Sequence, residues 1–238
     1  MNGKTRLFLF SFLFLPFLLP AQDVLRGEVR VQLEPIFGFY VEEYPLDIEA
    51  AYSRALQEAA MFFSAQIYGW SFNYDVGERA RGIEEVFELN PLGEIRWGDP
   101  GLYVTHADFI NWESQPTTYR FATFLSAWMD YRPTDAQRRR LEMWQKGGIR
   151  PAQAIGYSNI EGSGENPNWL AIKKKALEDS ARAAVRAILQ GSERNRPKEV
   201  TGFISLESFP SFYMDSSRQA AQARFRVEIT EIIPFAAY

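Results

Sequence analysis

The sequence predicts an α+β protein made of two related strand–helix–strand–strand modules, with mainly antiparallel sheets that are each packed by one Ala-rich helix. Two long segments, about 47–67 and 168–190, place apolar or small residues at steps of three and four, which is typical of helices. Short segments with alternating apolar residues surround them, and turn residues separate several of these, as is typical of strands. A chain of 238 residues that is 46% hydrophobic and 15% aromatic has the material for a sizeable core.

The first residues predict a signal peptide over 1–21. Lys4 and Arg6 give a positive start, the run 7–19 contains only Leu, Phe, Ser and Pro, and Ala21 is a small residue at which a signal peptidase can cut. A signal peptide has an apolar run of about 7–15 residues, whereas a membrane helix needs about 20. We therefore expect a periplasmic or secreted protein whose mature chain has no transmembrane span.

The composition disfavours several classes of function. The chain contains no cysteine, so it forms no disulfide and offers no cysteine for the lipid of a bacterial lipoprotein. Without residues 1–21 it carries 24 basic and 30 acidic residues, a balance that disfavours nucleic acid as a partner because phosphates are neutralised by Lys and Arg. With one histidine and no cysteine, we expect neither a metal site nor a cofactor.

The first module is predicted over 22–131. A strand at 24–33 and an extended segment at 35–41 precede the first long helix, for which Asp47 is the expected N-cap. Strand patterns then follow at 70–75, 82–89, 92–97, 102–112 and 118–129. The strand-rich part at about 70–100 is an insertion relative to the second module.

A linker helix over 132–148 and a second module over 149–238 complete the predicted organisation. Thr134 and Gln137 have the spacing of a capping box, and two glycines end the linker helix. The second module is predicted to contain an extended segment, the second long helix, a strand, an aromatic-rich loop and a final strand. Their ranges are 150–160, 168–190, 199–207, 208–217 and 221–233.

Three short strings recur in the same order and suggest that the modules are a diverged duplication. They pair Ala55 with Ala176, Phe109 with Phe203, and Arg120 with Arg224. The strings are SRALQEAAM and KKALEDSAR, DFINWES and GFISLES, and YRFATFLS and ARFRVEIT. The alternative is that similar helix and strand propensities produced similar strings.

The second long helix is predicted to pack in the core rather than to bind phosphate, nucleic acid or a membrane. Ala176 and Ala184 lie on its apolar stripe, while Lys174 and Glu178 represent an outer face on which opposite charges compensate at i,i+4. The glycines that precede it lack the Lys-Ser/Thr of a P-loop and are flanked by acids.

The segment 155–189, from the strand through this helix, resembles the leading segment of the LPP-twenty family of bacterial envelope lipoproteins. It also resembles the related N-terminal domain of the flagellar T-ring assembly protein. The matching positions are Gly156, Ala171, Ala176, Leu177, Asp179 and Ala181. The resemblance implies an α+β envelope domain without catalysis, although this chain lacks the lipidated cysteine of the lipoproteins.

His106 and Asp108 are the candidates for catalysis. They are two residues apart in a predicted strand, so their side chains share a face and can form an acid–base pair. No Gly-x-Ser-x-Gly motif accompanies them. A structural histidine is the favoured interpretation, and a secreted hydrolase or ligand-binding protein with a site at this pair is the alternative function.

The leading hypothesis is a non-catalytic, exported envelope protein that interacts with other envelope or flagellar proteins, or with itself. The candidate partner-binding residues are the neighbouring apolar side chains Phe209, Phe212, Tyr213 and Met214. The basic cluster 138–140 is a candidate for peripheral contact with a membrane, although such a run is more often the solvated face of a helix.

Overall fold

The α+β class is confirmed by a computed structural model. The structure describes residues 24–33, 46–78, 82–111, 123–159, 169–192, 197–216 and 218–234. Within these ranges it contains three helices and nine strands, and the strands pair antiparallel. The helices are α1 Ile48–Ile67, α2 Asp135–Met143 and α3 Trp169–Ser192.

The strands form two sheets. Their bounds are β1 Leu25–Gln32, β2 Trp70–Asp75, β3 Val86–Pro91, β4 Leu102–Asn111, β5 Thr123–Tyr131, β6 Arg150–Asn159, β7 Pro197–Leu206, β8 Ser211–Asp215 and β9 Arg218–Pro234. The three-stranded sheet has the order β1-β5-β4, and the six-stranded sheet has the order β3-β2-β7-β9-β6, with β8 also paired to β9. The larger sheet therefore takes β2 and β3 from the predicted first module and its other strands from the predicted second module.

The predicted duplication corresponds to a shared strand order. In β1-β5-β4 and in β6-β9-β7, the strand that comes last in the chain, β5 or β9, is central. It lies between the first strand, β1 or β6, and the strand that carries the Phe-Ile string, β4 or β7. Phe109 lies opposite Leu125, and the aligned strings would place Phe203 opposite Ile229. Phe203 instead lies opposite Glu228, because a register shift between Thr201 and Gly202 moves the pairing by one residue. Of the paired positions, Arg120 lies outside the described residues.

The predicted helix caps are both present. The Asp47 side chain accepts a hydrogen bond from the Ala50 backbone N–H at 2.6 Å, which fixes the start of α1. At α2, the backbone N–H of Gln137 donates to Thr134 Oγ1 at 3.3 Å, and the Thr134 N–H donates to Gln137 Oε1 at 2.8 Å. This reciprocal pair is the capping box that the sequence indicated.

Helix α3 packs closely against β6, as predicted for the alanine stripe. Ala176 and Ala184 are fully buried, whereas Lys174 is exposed. A Cβ added to Gly156 on β6 would lie 1.9 Å from the Ser180 backbone nitrogen. Glycine is therefore required at this contact, because any larger residue would force the helix away from the strand.

Helix α1 packs against strands of both sheets. It contacts β1, β4 and β5 of the three-stranded sheet and β7 of the six-stranded sheet. Its alanines Ala51, Ala55 and Ala59 are fully buried, and so is Phe63. Small side chains let the helix approach the sheets, while the aromatic side chains fill the remaining space.

Two predicted elements are wrong. Residues 92–97 do not form a strand, because the backbone N–H of Ile95 donates to Ser64 Oγ on α1 at 2.8 Å rather than to a neighbouring strand. The predicted loop 208–217 contains β8, which pairs with the start of β9 through a tight turn at Ser216 (φ 49°). The segments 35–41 and 118–122, which were predicted to be extended, lie outside the described residues.

Candidate functional site

The predicted His106–Asp108 pair forms, but on an open surface. His106 Nε2 and Asp108 Oδ2 are 2.7 Å apart on β4, an edge strand of the three-stranded sheet. Their side chains are 62% and 68% exposed. Trp128 lies directly opposite His106 on β5 and is 47% exposed. Among the described residues, nothing covers the two side chains enough to exclude water from a substrate.

Two acids on the neighbouring strands of the sheet, Glu28 on β1 and Asp130 on β5, already have partners. Glu28 accepts hydrogen bonds from Ser126 Oγ at 2.6 Å and from Arg30 Nε at 2.7 Å. Partial burial alone would raise the pKa of Glu28, but these hydrogen bonds and the charge of Arg30 outweigh it and hold the pKa below its usual value. Asp130 forms an ion pair with Arg26 at 3.3 Å. Both carboxylates thus accept hydrogen bonds from neighbouring side chains on the outer face of the sheet.

The predicted partner-binding residues separate into two groups. Phe209 and Phe212 pack against the core: their ring centroids lie 5.0 and 5.7 Å from that of Phe62 on α1. Tyr213 is 40% exposed, and Met214 is half-buried. Alternation along β8 explains this division in part, because neighbouring residues of a strand point to opposite faces. Tyr213 is the member of the predicted set that offers the most surface to a partner.

A buried charge cluster, which sequence reasoning missed, joins α1 to α3. Lys173 Nζ lies 2.5 Å from Glu58 Oε2, and the Glu58 side chain has no exposed surface. Arg54 Nε donates to Glu58 Oε1 at 3.1 Å, and Lys173 also donates to the Arg30 carbonyl on β1 at 3.2 Å. The ring of Phe212 lies 5.1 Å from the ammonium group. Four elements of the fold therefore meet at one ammonium group.

Burial lowers the pKa of Lys173, and the charge of Glu58 partly opposes this effect. A sequence signal for its burial exists. Lys173 lies four residues after Trp169 and four before Leu177, both of which are buried on α3, so it falls on the apolar stripe. The adjacent Lys174 and Lys175 face solvent.

A second ionic cluster connects the outer face of α3 to the segment before β3. Arg186 forms hydrogen bonds with both carboxylate oxygens of Glu85 and donates from Nε to Tyr74 Oη at 3.4 Å. Burial alone would raise the pKa of Glu85, but its hydrogen bonds with Arg186 and Tyr74 outweigh this and lower it. Burial, chiefly, raises the pKa of Tyr74. The cluster fixes the segment against α3 and is consistent with a structural role.

A groove lies where α2 meets the outer face of the six-stranded sheet. It has a volume of about 160 Å³. Its lining residues come from α2 and the residue that caps its end, from β7 and β9, and from the residue that follows β3: Leu92, Arg140, Met143, Trp144, Phe203 and Glu228. No sequence pattern indicated this groove, because it depends on how separate elements pack. Within the described ranges, no group of three or more His, Asp or Glu residues is placed to hold a metal ion.

Comparison with known proteins extends over nearly the whole chain. A family model matches residues 17–235. The chain belongs to that family, whose function is uncharacterised. An "Uncharacterized protein" of Treponema pallidum (strain Nichols) is 25% identical to this chain over 219 residues, which cover 89% of this chain and 84% of the relative. No solved structure matches the chain. The family match covers α1, α3 and both sheets, so family membership applies to the fold as a whole.

Proposed function

We propose that the protein is a non-catalytic, exported component of the cell envelope that assembles with other envelope or flagellar proteins. The observation that carries the proposal is the set of large aromatic side chains exposed on strands. Phe109 is 51% exposed, Trp128 is 47% exposed and Tyr213 is 40% exposed. Tyr, Trp and Phe are enriched in protein–protein interfaces, where they supply large contact areas at low entropic cost.

The export part of the proposal rests on the sequence of residues 1–21, which lie outside the described residues. The positive start and the short apolar run are typical of a cleaved signal peptide. Among the described helices, none combines the length and the apolar character required to cross a bilayer. The resemblance of the segment 155–189 to envelope lipoproteins supports the same compartment.

A hydrolase or ligand-binding protein with a site at His106 and Asp108 is the alternative. Catalysis by such a pair requires a cleft that excludes water and orients a substrate. The two side chains are more than half exposed on an edge strand, which favours assembly over catalysis.

Site-specific photocrosslinking in the native bacterium tests the proposal. A photoreactive phenylalanine at position 128 or 213 should give discrete crosslinked bands in the envelope fraction, and the same residue at Gln190, exposed on α3, is the matched control. N-terminal sequencing of the exported protein should start near Gln22. Retention of residues 1–21 in the cytoplasm, or identical crosslinking from all three positions, would contradict the proposal.

A further inference from the structure

We infer that the groove between α2 and the six-stranded sheet binds an extended segment of a partner protein in which one bulky apolar residue lies between an acidic and a basic residue. The inference rests on the proposed function, because it assigns a surface and a partner chemistry to the assembly role. It can be tested with purified protein and synthetic peptides, so its failure is distinguishable from a failure of export or assembly.

The walls of the groove are apolar and held in place. The Trp144 indole N–H donates to the Ile67 carbonyl at 3.0 Å, which fixes the end of α2 against α1. Leu92 is fixed by its backbone N–H, which donates to the Gly69 carbonyl at 3.1 Å. Met143 and Phe203 are 43% and 36% exposed. A groove with fixed walls and exposed apolar side chains can bind an apolar side chain with little reorganisation.

The size of the groove selects the class of ligand. Pockets for small organic molecules usually have volumes of about 300–1,000 Å³. This groove, at about 160 Å³, is smaller and suits a single apolar side chain. Peptide recognition commonly uses such a pocket for one anchor residue, while the neighbouring residues of the peptide contact the rim.

Arg140 provides the charge that recognises an acid. Its Nε atom is buried and has no hydrogen-bond partner among the described residues. Its guanidinium carbon lies 6.0 Å from the ring centroid of Tyr68, and the side chain as a whole is half-buried. Because the Arg140 side chain lines the groove, a carboxylate there can accept strong, charge-assisted hydrogen bonds from the terminal nitrogens of the guanidinium.

Glu228 provides the opposite charge. It lies opposite Phe203 across β7 and β9 and lines the same groove as Arg140, with which it forms no ion pair among the described residues. A segment with an acid and a base on opposite sides of its apolar residue satisfies both groups. A segment with two acids is repelled by Glu228, so the pair also provides specificity.

The experiment measures the binding of short blocked peptides to the exported form of the full chain by calorimetry. The two charged probes, acetyl-Glu-Leu-Lys-amide and acetyl-Lys-Leu-Glu-amide, have opposite directions. Both are tested because one direction places the acid beside Arg140 and the base beside Glu228. Acetyl-Gln-Leu-Gln-amide is the neutral control. We expect one of the charged peptides to bind more tightly than the neutral peptide, by about tenfold. The indole N–H signal of Trp144 should shift in NMR spectra on binding.

Arg140→Gln should weaken the binding of that charged peptide by about tenfold, and Glu228→Gln should weaken it less. Arg139→Gln, which changes an exposed neighbour on α2, is the matched control and should leave the affinity unchanged. Thermal melts establish that each variant is folded. Equal affinities for the charged and neutral peptides, an unshifted Trp144 signal, or equal effects of Arg140→Gln and Arg139→Gln would overturn the inference.

Discussion

Helices α1 and α3 carry matching strings, yet they occupy different environments. Helix α1 packs against strands of both sheets, whereas α3 packs mainly against β6 and β9 of the six-stranded sheet and reaches β1 of the other sheet through Lys173. The strings align Glu58 with Asp179. Glu58 has no exposed surface and pairs with Lys173, while the Asp179 side chain is 24% exposed and accepts from the Tyr157 backbone N–H at 2.8 Å.

The difference shows what a shared string determines in this fold. In both helices it places alanines such as Ala55 and Ala176 on a buried stripe. It does not determine the role of the acid, which depends on the elements packed around it. Between two sheets the carboxylate must be balanced by a cation, because an uncompensated buried charge is very costly. In α3 the acid at the aligned position, Asp179, instead accepts a hydrogen bond from the Tyr157 backbone N–H near the end of β6.

Removing the buried partner should give the largest effect. In Glu58→Leu, Lys173 loses its counter-charge inside the protein, and breaking such a pair costs about 3–5 kcal/mol in the free energy of unfolding. Asp179→Leu is the matched control at the aligned position. It removes the acceptor of the Tyr157 N–H, and we expect a loss of about 1 kcal/mol there, typical of one hydrogen bond. Urea denaturation at pH 7 measures both losses, and equal losses would contradict the proposed difference between the two helices.

The pH dependence and a double variant sharpen this prediction. Burial already lowers the pKa of Lys173 from its ordinary value of 10.5, and without Glu58 the pKa should fall further. A lysine with a lowered pKa in the folded state destabilises the fold when protonated, so the loss in Glu58→Leu should shrink as the pH rises towards 10.5. Replacing both partners, as Glu58→Leu with Lys173→Met, should recover most of the loss at pH 7 because no uncompensated ammonium remains.

The contact of α3 with β6 should tolerate no side chain at Gly156. In Gly156→Ala the new Cβ meets backbone atoms of α3, of which the nearest is the Ser180 nitrogen, and a backbone cannot rotate out of the way. We expect a loss of about 1–3 kcal/mol in thermal or urea unfolding. Gly191→Ala is the control near the end of α3, where a Cβ meets nothing within 4 Å. It should stabilise the protein by up to about 1 kcal/mol, and a tolerated Gly156→Ala would show that the helix can move.

Local patterns predicted much of the fold and little of the site. The caps at Asp47 and Thr134, the alanine stripe and most strands depend on neighbouring residues, so their signals are present in short segments of sequence. The burial of Lys173 depends on Glu58, which is 115 residues away. The groove depends on α2 meeting β7 and β9. β8 was missed because it is only five residues long and lies between turn-forming residues.

The smallest expected effect concerns Glu85, which connects α3 to the segment before β3 through Arg186. The hydrogen bonds with Arg186 and Tyr74 lower the pKa of Glu85 from its ordinary value of 4.5. Its ionised form therefore stabilises the fold above pH 4.5, and this contribution is lost as the pH falls through the folded-state pKa. The Arg186 side chain is 43% exposed, so solvent screening limits the contribution to about 1 kcal/mol or less. Glu85→Gln should therefore destabilise the protein slightly at pH 7 and by less at pH 3, below the ordinary pKa of a Glu side chain. Urea unfolding at both values measures this, with the exposed neighbour Glu84→Gln as the control. A loss that is the same at both values would show that Glu85 acts through packing rather than charge. The outer face of α3 would then be stabilised by packing, as the buried side of α1 is.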